Sequence, residues 1–231
     1  MSVSSLPRVC GGNRCRVSVM AALLMLTAAV TASASEGQYW GRAGVSVGVA
    51  GSTFRLGLEN RSEGGVADGY YASLAGGIER SLGEHLQIGV HYSRVDKRGG
   101  SGWSTEHRPY ADAELRFRLS GLGVQDRNRL EVRFRDGDRA LRYRNRFRLS
   151  HPIGDIGLSA SVDDEVFVDL EDVELSKNRL TSGVEMRLGN GASLGVFHVF
   201  ESSKTTDGWT GFHGLGASLS YRMKVQGRSS K

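Results

Sequence analysis

Apolar and polar residues alternate one by one through long parts of this sequence, and a period of two is that of a β-strand with two different faces. Residues 109–119 show the alternation most clearly, because Leu115 and its apolar neighbours share one face while charged residues occupy the other. Residues 86–93, 128–135 and 141–149 repeat the pattern. A chain with this alternation is expected to fold as β-sheet with one apolar and one polar face.

The alternation continues more weakly along the chain and gives eleven candidate strands. They cover residues 43–49, 54–59, 71–79, 86–93, 109–119, 128–135, 141–149, 156–165, 179–188, 192–200 and 215–223. Short turns are predicted near Gly51, Gly83, Gly121–Gly123, Gly154 and Gly189–Gly191, and longer polar loops over residues 60–69, 96–106, 169–178 and 201–211. Short turns that alternate with longer loops are typical of outer-membrane barrels.

The N-terminus has the three parts of a secretory signal peptide. Three arginines precede the apolar stretch Val17–Val30, which is too short to span a bilayer as a helix. An A-x-A cleavage site with Ala32 and Ala34 follows. We therefore expect residues 1–34 to be a cleaved signal peptide and residues 35–231 to be exported as one domain. The alternative is a buried helix at the start of a cytosolic domain.

Removal of this segment changes what the composition implies. Both cysteines, Cys10 and Cys15, would be lost, so no disulfide, thiolate nucleophile or cysteine metal site is expected in the exported chain. Three of the 30 basic residues also leave, so 27 face 25 acidic residues and the net charge falls from +5 to +2. Binding to nucleic acid is therefore not expected.

The exported part contains no stretch of the ~18 apolar residues that a transmembrane helix needs, so a membrane location requires a closed barrel. The predicted fold is all-β, an antiparallel up-and-down transmembrane β-barrel of 10–12 strands in the outer membrane of a Gram-negative bacterium. Because single-chain bacterial barrels normally have an even strand number, we expect ten or twelve strands. The alternative is a soluble periplasmic β-sandwich or lipocalin-like barrel, whose apolar face would fill the interior.

The last predicted strand adds to the barrel interpretation. Its alternation resembles the C-terminal assembly signal of outer-membrane proteins. It departs from that signal at Met223, where an aromatic residue is usual, and in the polar tail that follows.

The polar face of the central strands is dense in charge and predominantly basic. In a barrel it would form a lumen charge network of fifteen residues: Asp112, Glu114, Arg116, Arg118, Arg127, Arg129, Glu131, Arg133, Arg135, Arg142, Arg144, Arg146, Arg148, Asp163 and Glu165. The guanidinium groups can pair with carboxylates and brace the wall of a narrow barrel. They can also attract anions into a passage, as rings of arginine or lysine do.

Two Arg-Asn-Arg triplets place Asn128 and Asn145 on the apolar side of neighbouring strands. An amide on a lipid-facing surface is costly unless it is hydrogen-bonded. We expect these two side chains to lie near a rim of the barrel or to bond to each other.

No arrangement typical of an enzyme stands out. The six histidines lack the spacing of a metal site, and no metal or cofactor is expected. Asp163 and Glu165 share a strand face and could act as paired carboxylates, and His107 or His213 could partner a serine near the loops. No enzymatic activity is expected, and a hydrolase built on the outer loops is the alternative.

Five short motifs follow one another in a familiar order. They are His107-Arg108-Pro109-Tyr110, Asp126-Arg127-Asn128-Arg129-Leu130-Glu131, Arg142-Tyr143-Arg144-Asn145-Arg146, Asp164-Glu165-Val166-Phe167 and Asn178-Arg179-Leu180. This order resembles the bacterial family called domain of unknown function 2490, which is regarded as a set of outer-membrane β-barrels without an assigned activity. The resemblance spans essentially the whole exported chain. It implies location and fold, and it supplies no catalytic residues.

The expected function is that of a monomeric outer-membrane β-barrel, acting as a narrow pore or as a structural component of the envelope. Its expected partners are outer-membrane lipid and the machinery that assembles outer-membrane proteins.

Overall fold

Eleven β-strands and the turns between them make up residues 37–65 and 67–224, the part of the chain that the computed structural model describes. The strands are β1 (Gln38–Val49), β2 (Ser52–Glu63), β3 (Gly69–Leu82), β4 (Leu86–Gly99), β5 (Gly102–Leu119), β6 (Leu122–Arg135), β7 (Asp138–Ile153), β8 (Leu158–Asp169), β9 (Glu174–Gly189), β10 (Ala192–Thr205) and β11 (Gly208–Lys224). Each of the eleven predicted runs is a strand. The predicted signal peptide with Ala32, Ala34 and both cysteines lies outside the described residues.

The eleven strands form a closed barrel. Each strand pairs antiparallel with the next, and β1 pairs with β11 in parallel, from Gln38 opposite Gly214 to Gly48 opposite Lys224. Eleven lies within the predicted range of 10–12 strands, whereas the expectation of an even number is wrong. In an odd-numbered meander the first and last strands run in the same direction, so the barrel can close only through a parallel pair.

Short turns connect the strands at both rims of the barrel. At the lower rim they occupy residues 50–51, 83–85, 120–121, 154–157 and 190–191. At the upper rim, where β1 begins, two of the connections occupy residues 100–101 and 206–207, and the others run from Glu63 to Gly69, from Arg135 to Asp138 and from Asp169 to Glu174.

The predicted long loops, and with them the contrast between short and long connections, are therefore wrong. Residues 60–63 and 69, and most residues of the segments 96–106, 169–178 and 201–211, belong to strands. These segments are polar partly because several of their charged side chains, among them Lys97, Lys177 and Glu201, face the inside of the barrel wall, and a polar stretch of wall has the composition of a loop.

Side chains alternate between the outer surface and the interior of the barrel. Outward positions expose large apolar side chains, among them Leu56 (54% exposed), Leu58 (55%) and Val90 (60%). Inward positions bury charged side chains, and Glu131 and Glu106 are each only 1% exposed. The distribution is the reverse of that in a soluble barrel, where the apolar face fills the interior.

A helix that could span a membrane is not found among the described residues. Between Gln38 and Lys224 the described residues form β-strands and the turns that connect them.

The parallel pair of β1 and β11, which we call the seam, depends on small residues of β11. Gly216 pairs with Trp40 of β1 and with Phe197 of β10, two large aromatic residues that lie on either side of it. The Phe197 ring occupies the space that a Cβ on residue 216 would need. A larger residue at position 216 would therefore collide with this ring.

We predict that Gly216→Val destabilises the barrel by about 1–3 kcal/mol, the usual cost of overpacking a filled interior. Urea unfolding in detergent micelles, followed by circular dichroism, measures this change. The matched control is Ala217→Val, which adds a branched side chain at the neighbouring outward position and should leave the midpoint nearly unchanged. Equal midpoints for the two variants would contradict the packing argument.

Candidate functional site: the charged interior

Five inward glutamates, four of them buried, hold most of the inward cations in one continuous set of ion pairs, which we call the ring network. Its glutamates are Glu59, Glu106, Glu131, Glu165 and Glu201, and its cations are Arg42, Arg61, Lys97, Arg108, Arg127, Arg133, Arg142, Arg144, Lys177 and Arg179. These residues come from nine of the eleven strands, all except β3 and β11. The network therefore runs along the wall around most of the interior.

Glu131 in the middle of the network receives three arginines. Its carboxylate accepts hydrogen bonds from Arg142 and from Arg144, the latter at 3.0 Å, and Arg108 lies 4.0 Å away. Arg142 and Arg144 occupy alternate positions of β7, so both side chains point inward from the same strand. A carboxylate with 1% exposure has little contact with water, and these cations replace the lost hydration.

Glu165 extends the network to β9. It accepts hydrogen bonds from Arg127 at 2.5 Å, from Arg144 at 2.8 Å and from Arg179 at 3.4 Å. Arg144 thus links Glu131 to Glu165 with its two terminal nitrogens. The planar guanidinium group suits this role because its donors diverge in a fixed fork.

Glu201 of β10 and Glu59 of β2 continue the network across the seam formed by β1 and β11. Arg179 lies 2.6 Å from Glu201, and Lys177 also pairs with that carboxylate. Arg61 lies 3.8 Å from Glu201 and 2.6 Å from Glu59, which also accepts a hydrogen bond from Arg42 at 3.0 Å. This half of the network spans the parallel pair that closes the barrel.

Glu106 near the upper rim forms the opposite end of the network. Arg108 donates two hydrogen bonds of 3.0 Å to its two carboxylate oxygens. Arg133 also donates to Glu106, and the Lys97 ammonium group donates at 3.3 Å. A bidentate guanidinium–carboxylate pair is the strongest form of such a contact.

Two aromatic rings are packed against the same cations. Trp40 is 2% exposed, and the guanidinium carbon of Arg61 lies 3.6 Å from its ring centroid. Phe167 is also 2% exposed, with Arg144 at 4.6 Å and Arg179 at 5.1 Å from its ring. The negative faces of these rings supply attraction to cations that outnumber the carboxylates.

Smaller groups of ion pairs lie beside the ring network. Arg129 donates two hydrogen bonds, of 2.7 and 2.8 Å, to Asp112. Glu114 pairs with Arg116 and, at 3.9 Å, with Arg146. The remaining inward pairs between an arginine and a carboxylate are Arg55 with Glu79 and Arg148 with Asp163.

The interior carries more positive than negative charge. Across all these inward pairs, fifteen arginines and lysines share nine carboxylates, an excess of six positive charges. The buried Nε atoms of Arg127, Arg142, Arg144 and Arg146 have no hydrogen-bond partner among the described residues. The interior therefore retains unused donor capacity.

The ring network borders a cavity of about 840 Å³. Twelve of the residues that line it are basic: Arg42, Arg55, Arg61, Lys97, Arg98, Arg108, Arg129, Arg142, Arg144, Arg146, Lys177 and Arg179. Only three are acidic: Glu59, Glu131 and Glu201. The cavity is thus a basic compartment inside the barrel.

The structure places thirteen of the fifteen predicted charge-network residues in inward ion pairs. The two others lie apart from them. Arg135 is exposed and pairs with Asp136 in the turn after β6, and Arg118 lies exposed near the lower rim. Both stand at strand ends, where the interior opens to solvent.

Sequence reasoning missed nine of the fifteen residues of the ring network. Glu59 belongs to a strand whose alternation is weak, and Arg42 lies just before the predicted run 43–49. Arg61, Glu106, Lys177 and Glu201 lie in segments predicted as loops. Extension of the alternation of residues 109–119 towards the N-terminus could have identified Glu106 and Arg108, since both continue the inward series of Asp112 and Glu114 on β5.

Asn128 and Asn145 bond to each other, as one of the two predicted alternatives stated. They are opposite each other on β6 and β7, and the Asn145 amide donates to the Asn128 oxygen at 3.2 Å. The rim alternative does not apply, because both residues lie near the middle of their strands. Asp126 accepts from Asn145 at 2.5 Å, and the Tyr143 hydroxyl donates to Asn128.

The side chains considered for hydrolase chemistry have other partners. Asp163 pairs inward with Arg148, Glu165 belongs to the ring network, and Asp164 faces outward to Asn178. His107 bonds the Tyr92 hydroxyl, and His213 bonds His198 at 3.0 Å. Within the described ranges, no group of three or more histidine and acidic side chains is arranged to hold a metal ion.

A family model described as a protein of unknown function, DUF2490, matches residues 37–211. The chain belongs to the DUF2490 family. The match covers β1 to β10 and the first residues of β11, so it contains every residue of the ring network. No curated protein sequence matches the chain.

We predict that Glu131→Gln lowers the free energy of unfolding by about 3–5 kcal/mol, the usual cost of removing one partner of a buried ion pair. The loss arises because the arginines around Glu131 keep their charge in a site with little water. Urea unfolding in detergent micelles measures it. The control Asp96→Asn removes a carboxylate whose partner, Arg94, is 57% exposed, and it should cost less than ~1 kcal/mol. A loss for Glu131→Gln no larger than the control's would mean that the ring network contributes little to stability.

Proposed function

We propose that the protein is an outer-membrane β-barrel whose basic interior is a narrow passage for anions. The observation that carries this proposal is the reversed distribution of its side chains. Apolar residues project outward from a closed sheet, and paired charges are buried inside it.

The apolar outer surface supports the membrane location. Phe54, Leu56 and Leu58 of β2 and Leu74 of β3 are each about half exposed and adjoin one another across the strand pair. Contiguous exposed apolar surface of this kind is rare on soluble monomers, since contact with water is unfavourable. Lipid would cover it, and a closed sheet satisfies its backbone hydrogen bonds without water.

The soluble alternative has less support. A lipocalin-like barrel is stabilised by apolar side chains that fill its interior. In this barrel the buried interior positions include Glu106, Glu131 and Glu201, each at most 2% exposed. As a soluble protein in water, the barrel would have no apolar core, and its apolar outer surface would be in contact with water.

We expect the full chain, produced in a Gram-negative host, to appear in the outer-membrane fraction as a monomer inserted by the assembly machinery, with its mass reduced by residues 1–34. Mass spectrometry of separated membrane fractions tests both points. The control Ala32→Leu with Ala34→Leu should keep the precursor mass, because cleavage requires small residues at the A-x-A site. Recovery of folded protein from the periplasm without detergent would reject the membrane location.

The ring of cations supports the anion passage. Rings of arginine or lysine favour anions in narrow pores, because they replace part of the hydration that an ion loses on entry. Here cations from seven strands surround the interior and outnumber the carboxylates that they contact. Chloride and phosphate are therefore favoured over sodium and potassium in this compartment.

Single-channel recording of the folded protein in a planar bilayer under a salt gradient tests the passage. We expect steady conductance with an anion-selective reversal potential. Lys177→Glu, which reverses a charge on the cavity wall, should shift that potential towards zero. Lys204→Glu makes the same change in an exposed pair with Glu174 and should not. Cation selectivity in the unaltered protein would contradict the proposal.

The second candidate is a barrel braced by its charges, without conduction. The observation that favours it is the density of pairing, since all five glutamates of the ring network contact two or three cations each. Absence of conductance from well-folded protein would favour this candidate, and a function would then be sought at the rims of the barrel.

A further inference from the structure

We propose that the interior cavity is a binding site for a soluble oligophosphate, that is, a compact anion with several linked phosphate groups. The inference rests on the proposed function in one respect, the access of anions to the interior. It goes further by assigning a ligand class and the residues that would bind it.

The charge of the cavity wall selects a multivalent anion. Twelve basic and three acidic residues line a space of about 840 Å³. Several of the basic groups also contact carboxylates outside the lining, yet the inward ion pairs together contain six more cations than carboxylates. One chloride would leave most of this charge unbalanced, whereas a single oligophosphate carries several negative charges in a small volume.

The placement of the cations also selects a ligand with more than one anionic group. Lys97 and Arg108 reach the cavity from β4 and β5, and Lys177 and Arg179 reach it from β9. Since these strands lie on different sides of the closed sheet, the two sets of cations approach the same space from different directions. Linked phosphates can contact both sets at once.

Phosphate is the anionic group that best suits the available donors. Guanidinium forks bind phosphate oxygens through two parallel hydrogen bonds, and a phosphate can accept several such forks around its oxygens. Arg142 and Arg144 both line the cavity, where their guanidinium groups already bond to carboxylate oxygens of glutamate. The cavity also falls within the size range of small-molecule sites, about 300–1,000 Å³.

The closed wall restricts the source of the phosphate. Every strand, including the seam pair β1 and β11, is paired on both sides, so no gap between strands admits a lipid headgroup from the side. Entry is through a rim. The ligand is therefore a water-soluble oligophosphate and not a membrane phospholipid.

Trp40 provides a direct reporter of occupancy. Its ring is buried and contacts Arg61, Arg179 and Arg42 at 3.6, 4.9 and 5.4 Å. The other tryptophans, Trp103 and Trp209, are about half exposed and can be replaced by phenylalanine. A ligand that draws these arginines away from the indole ring would change the Trp40 fluorescence.

The test is a titration of the Trp103→Phe, Trp209→Phe protein in detergent micelles with inorganic tripolyphosphate at constant ionic strength. We expect a saturable change in Trp40 fluorescence, confirmed by calorimetry on the unaltered protein. Vesicles that contain anionic phospholipid should produce no such change. A linear, non-saturating response from folded protein would overturn the proposal, as would a saturable response to the vesicles alone.

Variants at the two cavity lysines locate the site. Lys97→Gln with Lys177→Gln removes two positive charges, while Glu106 and Glu201 each keep two arginine partners, so the barrel should still fold. We expect the double variant to weaken tripolyphosphate binding at least tenfold. Lys204→Gln, at the same rim but on the outer surface, should weaken it less than twofold. Equal losses in the two variants would assign binding to the outer surface and overturn the inference.

Bilayer recording separates this inference from the proposed passage. Anion-selective conductance without saturable tripolyphosphate binding would overturn the binding site and leave the passage standing. Saturable binding without conductance would support the site and show that the barrel binds oligophosphate without conducting ions.

Discussion

Burial of glutamate among several arginines is the interaction on which the barrel depends. A carboxylate moved from water into a protein interior loses hydration worth several kcal/mol, and one cation seldom restores all of it. Glu131, Glu165 and Glu201 each contact three cations. The arginines are shared between carboxylates in the same way: Arg144 and Arg179 each bridge two glutamates. The pairs therefore form one structure around the wall and not a set of independent contacts.

The register of the sheet explains why this sharing is required. Arg127 lies directly opposite Arg146, and Arg129 lies directly opposite Arg144, on the paired strands β6 and β7. Like charges in such positions repel each other. Each of these arginines turns to a carboxylate on another strand: Arg127 to Glu165 and Arg129 to Asp112. The local repulsion is thus offset by contacts that exist only when β5, β6, β7 and β8 are all in place, which couples the folding of neighbouring strands.

The sequence predicts the strands and their inward faces well because both depend on local alternation. It predicts the charged interior only in part, because the polar ends of strands have the composition of loops, as Lys177 and Glu201 show. The alternation also cannot reveal which cation meets which carboxylate. The contact of Arg61 with Glu201 joins residues 140 positions apart and follows from the closure of β1 on β11. The alternation by itself indicates the correct number of eleven strands. The expectation of ten or twelve follows only from the even strand number that is usual in bacterial barrels.

The parallel seam and the charged interior are connected through Trp40. This residue lies on β1, opposite Gly216 of β11, and its ring contacts arginines of β2 and β9. Small residues of β11 leave the space in which this large ring can lie at the point of closure. The seam strand supplies no member of the ring network, so Arg61 of β2 must reach past it to Glu201 of β10. Closure of an odd-numbered barrel and continuity of its charges thus rely on the same feature, the small inward residues Gly214, Gly216, Ser218 and Ser220 of β11.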